Sequence, residues 1–422
     1  MLSWAFDLVI PRRAKREPGI YTPGGGCGFR AWPCRPSRND ETGSAYEYLC
    51  AALAIFTLLA CTSARAEIAI SANDAHSALV DGVAGAVDKP PPDTVSVIDL
   101  AQTPPRIKAT VEVGASALGP GQGVYVAKDE SFAIVPSGNR AENGTIVPDN
   151  RVSVIELVGA PRVLQQISAG AGANAIAVNP AENLVLVTNR IAGNVSVFAL
   201  KDKHLTALET MDLGNPKSLA ASVAFATDGK TAFVAAEGGI DVFNVRADGL
   251  EYNAPGHIPA LHPHVMDVSP NGQLLAIGNS WGGPGNLGAV TLVDISARPF
   301  KVVNVVGTAG LSEGLRFSPD GKYLAVCSLN GSTEPLSSPD YHDHSVLAVF
   351  AVDGKALRRV DEAFVGRWSR GVAFSRDGHT ILVQNMLEKT ISVLSFANDK
   401  LTLQEPLAIP NAGPAMIGTA RR

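Results

Sequence analysis

The stretches SVAFATDGKTAFVAA (222–236), VMDVSPNGQLLAIGN (265–279), GLRFSPDGKYLAVCS (314–328) and GVAFSRDGHTILVQN (371–385) decide the fold. Each is an apolar run, a tight polar turn and a second apolar run. Alternating side chains over runs of this length mark strands. Asp-Gly and Asn-Gly supply the positive φ angles that a tight hairpin demands. Val, Ile, Phe and Thr suit a pleated, half-buried surface. Looser copies are GVYVAKDESFAIV (123–135) and AIAVNPAENLVLVTN (175–189).

Outward from these hairpins a second pattern recurs: TVSVIDL (94–100), RVSVIEL (151–157), NVSVFAL (194–200), IDVFNV (240–245), AVTLVDI (289–295), VLAVFAV (346–352) and TISVLSF (390–396). Each reads as a third strand, with a fourth behind it. The four-strand unit repeats about every 43 to 57 residues, the spacing of a propeller blade. One small antiparallel sheet cannot bury both faces alone, whereas radial stacking of several buries them all. No segment keeps a helical period. First strands fall near 123, 176, 222, 265, 315, 372 and 415, which gives seven. The last, PAMIGTA (414–420), has no partners after it, while HSALVDGV, TVSVIDL and IKATVEV (within 76–113) lack a first strand. The expectation is an all-β, seven-bladed β-propeller, closed by one C-terminal and three N-terminal strands so that no sheet edge is left open at the seam.

The chain has 422 residues and a net charge of −5. No basic face is visible, which argues against nucleic acid as a partner. Residues 1–46 are rich in Arg, Pro and Gly and show no period, and read as an N-terminal extension whose true start lies further downstream. Residues 47–66 read as a signal peptide: the apolar run LCAALAIFTLLA (49–60) is too short to span a bilayer, and Ala64-Arg65-Ala66 is a small-x-small cleavage pattern. The propeller is then expected over 67–422, as a periplasmic or secreted monomer without a membrane span. Leu58-Leu59-Ala60-Cys61 offers the alternative of a lipoprotein anchored at Cys61. Four of the five cysteines precede Glu67, and Cys327 alone remains in the mature chain, inside an apolar strand. Neither a disulfide framework nor a cysteine zinc site is possible there.

In such a ring the loops entering the first strand and those joining the second to the third share one face. Distinctive side chains collect there: His262 and His264 in HIPALHPHVMDV, Glu313 in LSEGLRF, Trp368 and Arg370 in GRWSRGVAF, Trp281 in NSWGGPGN, and Tyr341, His342, Asp343 and His344 in GSTEPLSSPDYHDHS (331–345). The runs HPHVMDVSPNGQLLAIGN, SEGLRFSPDGKYLAV and SRGVAFSRDGHTILVQNMLEKTISVLSF resemble blades of the propeller lactonase family, whose best-known class is the seven-bladed 6-phosphogluconolactonases. Exported propellers with Val-Ser-Val-Ile-Asp-Leu and Ser-Pro-Asp-Gly repeats are similar too. The lactonase resemblance implies ring opening by acid–base chemistry at the channel mouth, with no cofactor. It implies that Glu313 or His264 activates water and that Arg370 holds the oxyanion. His262, Trp281, Trp368 and Tyr341 are candidate ligand contacts. His342, Asp343 and His344 are candidate ligands for a divalent metal. Gly-Asn-Ser-Trp-Gly (278–282) and Ser-Leu-Asn (328–330) stand where the family has Asp-Leu-Gly-x-Asp and Asn-Arg-Gly. The alternative function is a non-catalytic propeller that binds a protein, glycan or small ligand on this loop-rich face.

Overall fold

The computed structural model describes residues 67–214, 218–279 and 287–421. They form seven four-stranded antiparallel sheets in a closed ring. The first strands are Tyr125–Val126, Ala173–Val178, Ser222–Phe225, Pro263–Val268, Ser312–Phe317, Ser369–Phe374 and Gly413–Thr419, in blades 1 to 7. First strands run from one end of the channel, here the mouth, to the other, here the base, where the Ser-Pro-Asp-Gly turns lie. In those turns the serine hydroxyl donates to the Asp side chain (Ser318 to Asp320, 2.7 Å) and accepts the amide of the next strand (Tyr323, 2.9 Å). Gly321 completes the turn at φ +71°, a conformation open to glycine without steric penalty.

Seven apolar clusters hold the ring, one at each blade interface. Val124, Val126 and Val135 of blade 1 pack on Ile68, Ile70 and Val95 of blade 7. Leu382, Ile391 and Val393 of blade 6 pack on its other face, against Ala69, Ile98 and Ile417. Inner strands lie between two neighbours and are buried throughout. Outer strands, such as Arg106–Glu112, alternate between half-buried and exposed.

The Val-Ser-Val-Phe motif has two structural roles. Its serine receives an asparagine from the end of the second strand: Asn189 to Ser196 (2.9 Å), Asn385 to Ser392 (2.9 Å) and Asn73 to Ser96 (3.0 Å). The register toward the fourth strand then shifts just after it, at Val97/Ile98, Val154/Ile155 and Val197/Phe198. Such a shift adds twist, which fans the outer strands apart.

The closing blade corrects one expectation. Gly413–Thr419 does pair with three N-terminal strands, but these are Ile68–Asp74, Thr94–Asp99 and Arg106–Glu112. HSALVDGV instead forms a separate hairpin, Ser77–Val80 with Val83–Ala86. Its Asp81-Gly82 turn and alternation are those of a blade hairpin, but among the described residues it pairs with no further strand. It reaches the long loop of blade 5, where Asp81 accepts the Leu336 amide at 2.8 Å.

The segment 117–123 (ALGPGQG) crosses the channel. Gly121 N donates to Glu313 O (3.0 Å) in blade 5, and Ile417 N in blade 7 donates to Gly121 O (2.7 Å). A Cβ on Gly121 would collide with the backbone of Arg370 and Gly371 in blade 6, and one on Gly119 would collide with Asn174 in blade 2. Gln122 donates to Met266 O (3.2 Å) and to Leu315 O, and accepts from Leu315 N (2.9 Å). This plug separates mouth from base.

Candidate active site at the channel mouth

The first residues of the inner strands place Asn174, His264, Glu313 and Arg370 around the mouth. His264 Nε2 lies 3.3 Å from Glu313 Oε2, and Arg370 Nη1 donates to the same oxygen at 2.6 Å. All three are nearly buried, at 8%, 7% and 3% exposure. Burial alone would raise the Glu313 carboxyl, but the charges of Arg370 and His264 outweigh it and hold the group below the usual carboxylate range. Glu313 is therefore an ionised acceptor and a weak base. Arg370 is also tied elsewhere. Its Nη2 donates to Ala117 O (2.7 Å) and Gly119 O, and its Nε reaches Ala415 O at 3.4 Å. It pins the plug.

Above the trio lies a cavity of about 410 Å³ lined by Arg190, Leu219, Glu237, His262 and His264. His264 Nδ1 makes no hydrogen bond with any described residue. Arg190 enters from the end of the second strand of blade 2, and among the described residues its side chain makes one hydrogen bond, from Nη1 to Leu219 O at 3.4 Å. Burial lowers its guanidinium, with Glu313 acting in the opposite sense. His262 Nδ1 faces Glu237 Oε1 at 3.3 Å.

The rim is strained. Leu219, His262 and Trp368 each sit two residues before the inner-strand residue at the mouth, at φ +50°, +44° and +48°. Gly172 stands at the equivalent place in blade 2, at φ +77°. Side chains rarely adopt this region, and where they do the cost is commonly tied to a site.

The sequence-derived candidates divide. His262, His264, Glu313 and Arg370 come together. Trp368 is half-buried, and its amide donates to Ser332 Oγ at 3.1 Å. Tyr341 is half-buried beside Arg367. Trp281 lies outside the described residues, as do the expected signal peptide and Cys61. His342, Asp343 and His344 do not converge as a ligand set. His344 Nδ1 is taken by Asp343 (2.8 Å) and its ring stacks on Phe364 at 4.0 Å, while His342 Nδ1 contacts Asp340 O at 3.1 Å.

The one group with ligand spacing among the described residues is Asp74, His76 and Asp93. Both ring nitrogens of His76 are already occupied, by Asp93 (2.9 Å) and Asn139 (3.1 Å). Burial would lower this imidazole, but the bond to Asp93 and the charges of Asp74 and Asp93 push it up to about 9. The cluster is a buried imidazolium between two carboxylates. Asp74 also accepts the Ala117 amide (2.8 Å), so the cluster braces the plug.

Arg190 and Glu237 escaped the sequence reading. Each lies one residue beyond the second-strand runs VTN and VAA, in loops of ordinary length. A charged residue at that turn, on the face already marked by His264, was the available signal.

No family model matches the chain, and no curated protein sequence does. Solved structures do match. One is a candidate 6-phosphogluconolactonase of Bacteroides fragilis (TM-score 0.65, 15% identity, 85% of this chain and 99% of that one). Another is the periplasmic gluconolactonase PpgL of Pseudomonas aeruginosa (0.61, 15%, 83% and 98%). The likeness is one of fold. A protein of unknown function from Desulfotomaculum acetoxidans matches as well (0.63, 13%, 84% and 99%), so the architecture alone does not choose a chemistry.

Proposed function

We propose that the mouth pocket opens a small lactone by hydrolysis, with His264 as general base. The observation that carries this reading is the His264–Glu313 contact at the floor of a cavity whose wall holds Arg190. With its proton on Nε2 toward Glu313, His264 offers Nδ1 to a water. Water attacks the lactone carbonyl and His264 takes its proton, while Glu313 steadies the imidazolium. Arg190 holds the oxyanion, because Arg370 is engaged by the plug. The ring C–O bond then breaks, and His264 returns the proton to the leaving oxygen to give a hydroxy acid. Glu313 and Arg370 thus act as positioning residues, a change from the roles that family resemblance implies. The names of the Bacteroides and Pseudomonas structures agree with this substrate class.

The test is a pH-stat assay of the purified protein on a panel of five- and six-membered lactones, beside Arg190→Met. Turnover that drops roughly a hundredfold in the variant supports the reading. Absence of turnover on every lactone refutes it. That outcome would favour a binding propeller, to which the exposed Ile191, Leu219 and Leu261 around the mouth also point.

Export is part of the same reading. It is supported by the apolar run 49–60, by Ala64-Arg65-Ala66, and by the position of four of the five cysteines before Glu67. Among the described residues no helix is long and apolar enough to cross a membrane. N-terminal sequencing of protein from a periplasmic fraction is expected to begin at Glu67. A lipid-modified Cys61 would establish the anchored form instead.

A further inference from the structure

The base of the channel holds a second cavity, of about 450 Å³, closed on its inner side by Gln122. Its walls are the ends of the inner strands, with Val126, Val178, Phe225, Val268, Phe317 and Phe374. At its floor lies Arg316, and the chemistry there is unbalanced. Arg316 Nε is buried without a partner. The nearest carboxylate oxygen, Asp267 Oδ1, is 3.6 Å from Nη1, too far for a hydrogen bond. Asp267 is already occupied, since Oδ2 accepts the Phe317 amide at 2.9 Å and Arg421 contacts both oxygens. The Arg316 side chain makes no hydrogen bond to any described residue. Two guanidiniums therefore share one carboxylate. The other cations at the rim are engaged: Arg376 pairs with Glu130, and Lys128 Nζ donates to Pro180 O at 2.5 Å.

An inward-facing guanidinium with free donors is costly unless something answers it. We propose that the base cavity binds a small organic monocarboxylate, its carboxylate on Arg316 and its apolar body against the Val and Phe walls. The charged side chains lining the cavity are Arg316, Arg421, Arg376 and Lys128 against Asp267, Glu130 and Glu67, so one cation is in excess and the complement is a monoanion. The guanidinium fork matches a carboxylate with two parallel bonds. The volume falls in the range of small-ligand sites. The burial of Arg316 and the nearness of Arg421 also lower its guanidinium to about 10, with Asp267 acting in the opposite sense. The inference does not depend on lactone hydrolysis, because the plug lies between the two cavities.

The test is fluorine NMR titration of the purified protein with 4-fluorobenzoate and with the neutral 4-fluorobenzamide, beside Arg316→Met and Arg316→Lys. The expected result is saturable benzoate binding, weakened roughly tenfold or more in the methionine variant and partly restored by lysine. Benzamide should not bind. Thermal unfolding of Arg316→Met should be no earlier than that of the native protein, since an unanswered charge is removed. In the native protein the Arg316 Nε–H resonance should move with benzoate, a readout that needs no variant. Equal binding of benzamide, undiminished binding in Arg316→Met, or a stationary Nε–H signal at millimolar benzoate would each overturn the proposal.

Discussion

At the mouth, Glu313 sits between His264 and Arg370, and Arg370 directs Nη2 to carbonyls of the plug and Nε toward Ala415 O of blade 7. At the base, Arg316 faces a cavity with no hydrogen bond, and its nearest carboxylate is held by Arg421. The same kinds of side chain, a few residues apart on the inner strands, are fully hydrogen-bonded at one end and share a single carboxylate at the other. The lesson is that proximity of charges does not define a site. The mouth trio is largely architecture, and the proposed chemistry rests on the groups around it, His264 Nδ1 and Arg190.

The largest expected effect separates the two ends. Glu313→Gln leaves the buried Arg370 guanidinium without its carboxylate and should cost about 3–5 kcal/mol in urea unfolding. Arg316→Met should change stability by less than about 1 kcal/mol, or raise it. Equal losses at both ends would break the comparison. Gly371→Ala drives a methyl into the Gly121 carbonyl and the Ile417 side chain. It should cost about 1–3 kcal/mol by overpacking, and speed amide exchange at Gly121, since its donor bond to Glu313 holds the plug in place.

A pH effect sharpens the account of the plug. The His76 imidazole is raised in the folded protein from its ordinary 6.5 to about 9. A raised pKa means that its stabilisation is complete below pH 6.5 and is lost as pH rises toward about 9. The melting temperature should fall across that window, and His76→Gln should flatten the fall. A slope unchanged in the variant would remove His76 from the bracing network. The smallest effect concerns the strained rim. Leu219→Gly relieves a left-handed backbone and should stabilise by about 1 kcal/mol, while weakening lactone binding in KM.

Much of the ring was legible because its turns and third strands repeat with a clear physical cause. The seven first strands and the one-plus-three closure followed from that repetition. IAISAND (68–74) was missed because it follows directly on the expected cleavage site, while HSALVDGV, with its Asp-Gly turn, carries the stronger strand signal. Alternation cannot say whether a hairpin has neighbours. His264, Glu313 and Arg370 were legible as polar residues opening apolar strands. The plug was not, since ALGPGQG has the composition of a linker and only the ring around it gives its glycines a purpose. Arg190 shows the same limit, because its role depends on what Arg370 is already bound to.

The most direct test of the account is the rate of lactone hydrolysis by His264→Gln relative to the native protein. Glutamine can still bond Glu313 but cannot take a proton from water. The account predicts a folded variant whose kcat falls by roughly 10²–10⁴. A folded variant that turns over lactone at the native rate would contradict it.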